Sequence, residues 1–344
     1  MSSDLEKFIW GMQTPALRDQ PLGDPTSWAG TVQGELLQFG EHRDMAFPTR
    51  EFPAYQFAAA ILMVKNEADV ISENLWWLYF IGVRRFIVIN NKSTDNTGEL
   101  VKDFQKYADH VEVIIIDDPI IAHYQSEKTT SAYVMANLLW PDLRWIIPVD
   151  ADEFFIPQNS LETLDSVPET IDAVVVTKLI HCHYSFYKPS TALTNLLQEM
   201  AYRCPLFAVP PKIVVRAHLE AHIAQGNHFI KKKTQEVAHY TGGLSYGLYI
   251  REFPNRSFEY FLDKIRNGAR AIMEARKHHP ERSIGGEHWL EYYTIYQQQG
   301  LEAILSVYRQ NYIRDHTPGW KLEPFSGVPL NHPYRFFLDR DRAE

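Results

Sequence analysis

Three carboxylates stand within four positions in the stretch RWIIPVDADEFFIP, residues 144–157: Asp150, Asp152 and Glu153. The residues on either side are apolar, and unpaired charge in a core is costly, so such a cluster calls for a cation. Along an extended turn, residues two apart point the same way. Asp150 and Asp152 can therefore converge on one ion while Glu153 faces elsewhere. Carboxylate oxygens suit Mg2+ or Mn2+, ions that keep positions open for phosphate oxygens. The plainer alternative for a bare D-x-D is a solvated acidic loop or a helix cap.

The elements that would set these acids in place are short apolar runs rich in Val and Ile: AAAILMV (58–64), RFIVIN (85–90), VEVIII (111–116) and RWII (144–147). Their length and near-continuous hydrophobicity predict strands covered on both faces. Between them lie helical patterns. Ile71, Leu75 and Leu78 recur at i, i+4 and i+7, with Gly82 where a helix would stop. Leu100, Val101, Phe104 and Ala108 repeat the pattern, with Asn96 and Glu99 placed as a capping-box-like start. Tyr133, Val134, Asn137 and Leu138 suggest a third helix. Alternating strand and helix predicts an α/β fold with a mainly parallel sheet. Pro148 cannot donate to a ladder, so the fourth strand is expected to end near Ile147, with Pro148 opening the turn that displays the acids.

In such sheets ligands bind outside the carboxyl ends of strands, where the acids fall. Two other strand ends should help build the pocket: Lys65, Asn66 and Glu67 after the first, and Asn90-Asn91-Lys92-Ser93-Thr94-Asp95 after the second. Short polar side chains there can read a base and a ribose between apolar walls. Ordinary turn chemistry would also explain the second segment.

The chain of 344 residues is 45% hydrophobic and 22% charged, enough for one large domain or a domain plus an appendage. A net charge of −9 and a pI near 5.9 argue against a dedicated nucleic-acid binder. The basic run Lys231-Lys232-Lys233 reads as a solvated loop. Cys182 and Cys204 form no CxxC or disulfide framework, which points to a reducing compartment. The acidic start MSSDLEKFIW does not read as a signal peptide, and no apolar run reaches the roughly 18 residues of a membrane span. A cytoplasmic protein is expected, with peripheral membrane contact left open.

Residues 1–55 read as an irregular Pro- and Gly-rich arm with isolated Trp10, Trp28 and Phe39. Beyond Pro254 the pattern turns helical. Phe258, Phe261, Leu262, Ile265, Ala269 and Ile272 form a stripe ending near His279-Pro280, and a second stretch runs from Glu287 to Tyr312. The last thirty residues are Pro-rich and irregular. No G-x-G-x-x-G follows a strand and no P-loop, G-x-S-x-G or H-E-x-x-H occurs, which disfavours dehydrogenase, P-loop NTPase, serine-hydrolase and zincin chemistry.

The pair ILMVKNEADVISENLWWLYFIGVRRFIVINNKSTDNT and RWIIPVDADEF resembles the family 2-like glycosyltransferases of the GT-A fold, in the branch close to family 92. The match runs over about residues 57 to 268. The resemblance implies a GT-A domain over 56–250, preceded by the arm and followed by a C-terminal helical appendage over 251–344. It implies a nucleotide-sugar donor, UDP- or GDP-linked, a glycan or glycoconjugate acceptor, and Mn2+ or Mg2+ on Asp150 and Asp152, with Asn66 and Glu67 near the nucleoside. LLQEMAYRC resembles a segment carrying an acceptor-side glutamate, which nominates Glu199 as general base. PPKIVVR points to Lys212, which with Lys128 is a candidate phosphate partner. VAHYTGG points to His239 as the completing metal ligand, with His228 in QGNHF as its competitor. His181 and His183 have the spacing of a metal pair but read as structural. A base opposite a metal-activated leaving group implies single displacement with inversion. Family 2 enzymes usually place an aspartate where this chain has Asn90 and Asn91, which leaves the base identity open. A nucleotidyltransferase of similar fold, or a carbohydrate-binding scaffold on a degenerate core, are the other readings.

Overall fold

A computed structural model describes residues 48–120, 124–183, 196–278, 287–313 and 320–343. The arm's Trp10, Trp28 and Phe39 and the His279-Pro280 boundary lie outside these described residues.

The first half follows the sequence pattern closely. β1 (Ala58–Val64), α1 (Ile71–Phe80), β2 (Arg85–Asn90), α2 (Thr97–Tyr107), β3 (Glu112–Asp117), α3 (Gln125–Leu139) and β4 (Trp145–Pro148) alternate along the chain. The four strands pair in parallel in the order β3-β2-β1-β4. Pro148 is the last residue of β4 and pairs with Ile61, one position later than expected. The ladder tolerates it at a strand end, because the next amide, Val149 N–H, donates to Ile61 O at 3.0 Å. α2 begins after Asn96 as predicted, but Asn96 makes no side-chain cap. The Asp95 carboxylate does that work, accepting from Thr97 N–H at 3.1 Å and Thr97 Oγ1 at 2.6 Å. Gly82 ends the turn after α1 with φ +105°, and a Cβ there would lie 2.5 Å from Pro53 O.

β1, β2 and β4 are buried on both faces, which is why they read as continuous apolar runs, while the edge strand β3 is half-buried. Ala58, Ala60, Leu62 and Val64 of β1 join the core on the side of α1 and α2, while Ala59 and Ile61 pack with Ala132, Tyr133 and Ala136 of α3. α1 is buried along its whole length. Trp77 Nε1–H donates to Phe155 O at 2.8 Å. Replacing a ring buried this way by Ala typically costs about 3–5 kcal/mol.

The second half completes the sheet with mixed pairing. β5 (Glu153–Pro157), β6 (Ala173–Cys182), the short helix α4 (Leu196–Glu199) and β7 (Tyr202–Arg216) are followed by a two-stranded ribbon, β8 (Ala221–Ile223) with β9 (Ile230–Lys232). β10 (Tyr240–Gly242) and β11 (Leu248–Glu252) then lead to α5 (Phe258–His278), α6 (Glu287–Gln299) and α7 (Leu301–Tyr312). β12 (Lys321–Leu322) and α8 (Arg335–Ala343) close the described chain. The full path is β3-β2-β1-β4-β7-β6-β11-β5, with β10 on β6 and β12 on β7. β7 runs antiparallel to both β4 and β6, and β5 antiparallel to β11. Lys231-Lys232-Lys233 is not a plain loop: Lys232 lies in β9, with Nζ 3.2 Å from Asp172 Oδ2.

α5 packs its apolar stripe, Phe258, Phe261, Leu262 and Ile265, against Ile304 and Tyr308 of α7. Phe325, Val328 and Leu338 of the last described segment enter the main core, and Arg335 reaches the buried Glu73 at 2.9 Å. Among the described residues no helix is long and apolar enough to cross a membrane.

Candidate functional site

β1 leads by crossovers to β2 and β3 on one side, while β4 lies on its other side. Strand order therefore reverses between β1 and β4, and open α/β sheets bind ligands at the carboxyl ends beside such a switch point. Lys65-Asn66-Glu67 follow β1 there, and Asp150 and Asp152 follow β4.

Around the acids the fold assembles a compact charge cluster. Lys212 of β7 donates to Asp150 Oδ2 at 2.6 Å and lies 3.1 Å from Glu153 Oε1. Lys178 of β6 sits 3.6 Å from the same Glu153 oxygen and 3.0 Å from Glu252. Gln125 at the start of α3 donates to Asp150 Oδ1 at 3.2 Å. Burial opposes ionisation of Asp150, but Lys212, with Lys178 and Lys264 farther off, outweighs it and holds the carboxyl below its usual range. Burial pushes Glu153 the other way, and the Asp150 charge adds to that. The pair thus splits into an ionised Asp150 and a Glu153 that holds its proton more tightly.

Asp152 is served from the other side. Its Oδ2 lies 3.4 Å from Lys264 Nζ and 3.7 Å from Arg256 Nη1. The fully buried Arg256 donates Nε to Asp69 Oδ2 at 2.8 Å, Nη2 to Asp69 Oδ1 at 2.8 Å and Nη2 to Glu67 Oε2 at 2.6 Å. Its guanidinium stacks 3.9 Å from the Tyr260 ring centre, and Tyr260 O–H donates to Glu67. Burial raises Glu67 to about 7 against the pull of Arg256 and Lys264. Six carboxylates (Glu67, Asp69, Asp150, Asp152, Glu153 and Glu252) face four cations (Lys178, Lys212, Arg256 and Lys264).

Among the described residues no three or more His, Cys, Asp and Glu side chains form a ready cage. Mg2+ needs none, since it is commonly held by one or two carboxylates together with substrate phosphates and water. Asp150 and Asp152 are the two carboxylates nominated for that role.

The two histidines nominated for the site part company. His239 is 65% exposed, with Nδ1 3.8 Å from Asp172 Oδ2 and its backbone N–H donating to the same carboxylate. It precedes β10, whose Tyr240 pairs with Ala173 at the start of β6, whereas Lys212 pairs with Val176 farther along. The structure therefore does not bring His239 to the acids. His228 lies among them: burial and the Lys212 and Lys178 ammoniums push it down to about 4, against the opposing pull of the Pro211 carbonyl and Asp150. Its Nδ1 is 2.7 Å from Pro211 O, so Nδ1 carries the proton and Nε2 keeps its lone pair. Gly226 closes over that nitrogen, where a Cβ would sit 2.3 Å from Nε2.

The nucleoside-side residues are brought together, largely on one another. Lys65 Nζ donates to Asn91 O at 3.0 Å. Asn66, at φ +54°, accepts Thr94 N–H at 2.8 Å on Oδ1 and donates its own N–H to Ser93 Oγ. Glu67 N–H reaches Thr97 Oγ1 at 2.8 Å, and Asp95 also accepts Ala68 N–H. Asn90 donates to Asp117, and buried Asn91 donates to Asp118 and to Ile120 O. Lys128 is paired with Asp118 at 2.6 Å and donates to Ile120 O at 3.0 Å. Both nominated phosphate lysines, Lys128 and Lys212, are thus engaged with carboxylates.

Glu199 closes α4, and its Oε2 is buried without a hydrogen-bond partner. Burial lowers the His183 pKa while the Arg256 carbonyl and Glu199 work against it, and His183 Nε2 lies 2.7 Å from Arg256 O. His181 stacks on Phe253 and contacts Arg251 Nη1 through Nε2 at 2.8 Å, a structural role.

Sequence reasoning missed Gln125, Asp118, Lys178, Glu252, Arg256, Tyr260 and Lys264. A signal existed for the last three, which recur every four residues opposite the apolar stripe of α5.

No family model and no curated protein sequence matches the chain. Among solved structures, the chain is similar to a mannosyltransferase from Pyrobaculum calidifontis in complex with GDP-Man and Mn2+, at 14% identity and a TM-score of 0.38, over 99% of this chain and 94% of that one. It is also similar to TarS of S. aureus, at 13% identity and a TM-score of 0.35, over 72% of this chain and 44% of that one. A third is glucosyl-3-phosphoglycerate synthase from Mycobacterium tuberculosis with Mn2+, UDP and glucosyl-3-phosphoglycerate, at 13% identity and a TM-score of 0.26, over 36% of this chain and 44% of that one.

Proposed function

We propose that the chain is a GT-A glycosyltransferase that moves a sugar from a UDP- or GDP-linked donor to a hydroxyl of a glycan or glycoconjugate. The observation that carries this reading is the placement of Asp150 and Asp152 at the carboxyl end of β4, beside the switch point, each paired with a lysine ammonium, Lys212 at 2.6 Å and Lys264 at 3.4 Å. Asp150 and Asp152 would hold Mn2+ or Mg2+, whose charge offsets that gathering on the departing diphosphate. Gln125 and Lys212 fix the Asp150 carboxylate in place, and Arg256 ties Glu67 and Asp69 to the same edge of the sheet.

Glu199 is the proposed base. Its partnerless buried oxygen is suited to take the acceptor hydroxyl proton. The acceptor oxygen then bonds to the anomeric carbon, and the carbon–oxygen bond to the β-phosphate breaks with its electron pair passing to that phosphate oxygen. Single displacement of this kind inverts the anomeric centre.

The test is nucleoside diphosphate release from UDP- and GDP-sugars with MnCl2 present, for wild type and Asp152→Asn. The expected result is metal-dependent release, lowered at least ~100-fold in the variant, a loss of about 3 kcal/mol in transition-state stabilisation. Undiminished release by Asp152→Asn would overturn the metal assignment. Pyrophosphate release from a nucleoside triphosphate would identify a nucleotidyltransferase instead.

A further inference from the structure

α5 crosses the mouth of the candidate site. Arg256 just before it and Tyr260 in its first turn grip Glu67 after β1. Arg270 acts electrostatically on Lys65, and Ala275 packs on Ile120 and Tyr124 beyond β3. The polar face of this helix therefore roofs the carboxyl ends of β1 to β4, and Lys264 stands near the middle of that roof.

The four cations of the charge cluster are not equally committed. Arg256, Lys212 and Lys178 have side chains 0%, 3% and 9% exposed, and each lies between 2.6 and 3.1 Å from a carboxylate oxygen. Lys264 is 31% exposed, and its ion-pair contact is Asp152 at 3.4 Å. Its ammonium also lies 5.4 Å from the Tyr260 ring centre and 5.8 Å from that of Trp289 on α6. Burial works against its charge, but Tyr260, Asp152 and Glu67 outweigh it and keep it an ammonium.

We infer that Lys264 is a binding residue for the donor diphosphate: the loosely held, partly exposed ammonium beside Asp152 swings to a phosphate oxygen when a divalent cation takes over the charge of Asp152. This rests on the transferase reading above and assigns it a residue outside the sheet. The three better-buried cations stay where they are and position the carboxylates.

The experiment is calorimetric titration of the full chain, as wild type, Lys264→Ala and Lys264→Arg, with UDP and GDP in MnCl2 and, in parallel, with uridine and guanosine. A charge-assisted contact predicts that Lys264→Ala weakens diphosphate binding ~10- to 100-fold and leaves nucleoside binding unchanged. Lys264→Arg should retain most of the affinity. Equal diphosphate affinity in wild type and Lys264→Ala overturns the inference and leaves the transferase reading standing. Parallel loss of nucleoside and diphosphate binding also overturns it, since that marks a structural role. Wild type that binds neither diphosphate overturns both readings.

Discussion

Glu67 carries a pH signature that can be read at the level of one side chain. Burial raises its pKa from an ordinary 4.5 to about 7, so the folded state binds the proton more tightly than the unfolded chain does. The stabilisation from that proton is fully present below about pH 4.5 and is lost as pH rises through about 7. Glu67→Gln imitates the protonated form. Its stability in denaturant should match wild type at pH 4.5 and gain on it above pH 7, by on the order of 3 kcal/mol. A difference that stays constant from pH 4.5 to 8.5 would contradict this. At the same scale, the role of His228 shows what residue types alone conceal. His228 and His239 are both histidines in short motifs that compete for one role, and only the tertiary fold places one beside Lys212 and leaves the other on the surface beside Asp172.

At the scale of elements, the four parallel strands were legible because β1, β2 and β4 are buried on both faces and the edge strand β3 keeps a run of half-buried isoleucines, and the acids after β4 were legible because charge stands out against such runs. β5, FFIP flanked by acids and Gln158, was not legible, since its antiparallel partner β11 lies almost a hundred residues away in the chain. The polar face of α5 was harder still. Arg256, Tyr260 and Lys264 have the spacing of a solvated helix face, and nothing local says that this face meets Glu67 and Asp152. Arg256 is the test of that docking. Arg256→Ala would strand Glu67 and Asp69 against each other at the sheet edge, and removing one partner of a buried ion pair typically costs about 3–5 kcal/mol. Chemical denaturation should show a loss of that size. A loss within 0.5 kcal/mol, ordinary for about any surface substitution, would mean that α5 is not anchored through Arg256.

For the whole molecule, the expected C-terminal helices are present, and the last described segment also reaches the main core, where Phe325, Val328 and Leu338 pack with Trp77 and its neighbours. Ligand that binds only the folded state should stabilise it by mass action. The central claim is that a nucleoside diphosphate and a divalent cation bind together at Asp150 and Asp152. The most direct measurement is the melting temperature of the full chain against UDP and GDP, each with MnCl2 and with chelator. One nucleotide should raise it by several degrees only when the metal is present, and Asp152→Asn should abolish the rise. No shift with either nucleotide, or a shift of the same size in chelator and in Asp152→Asn, would contradict the claim.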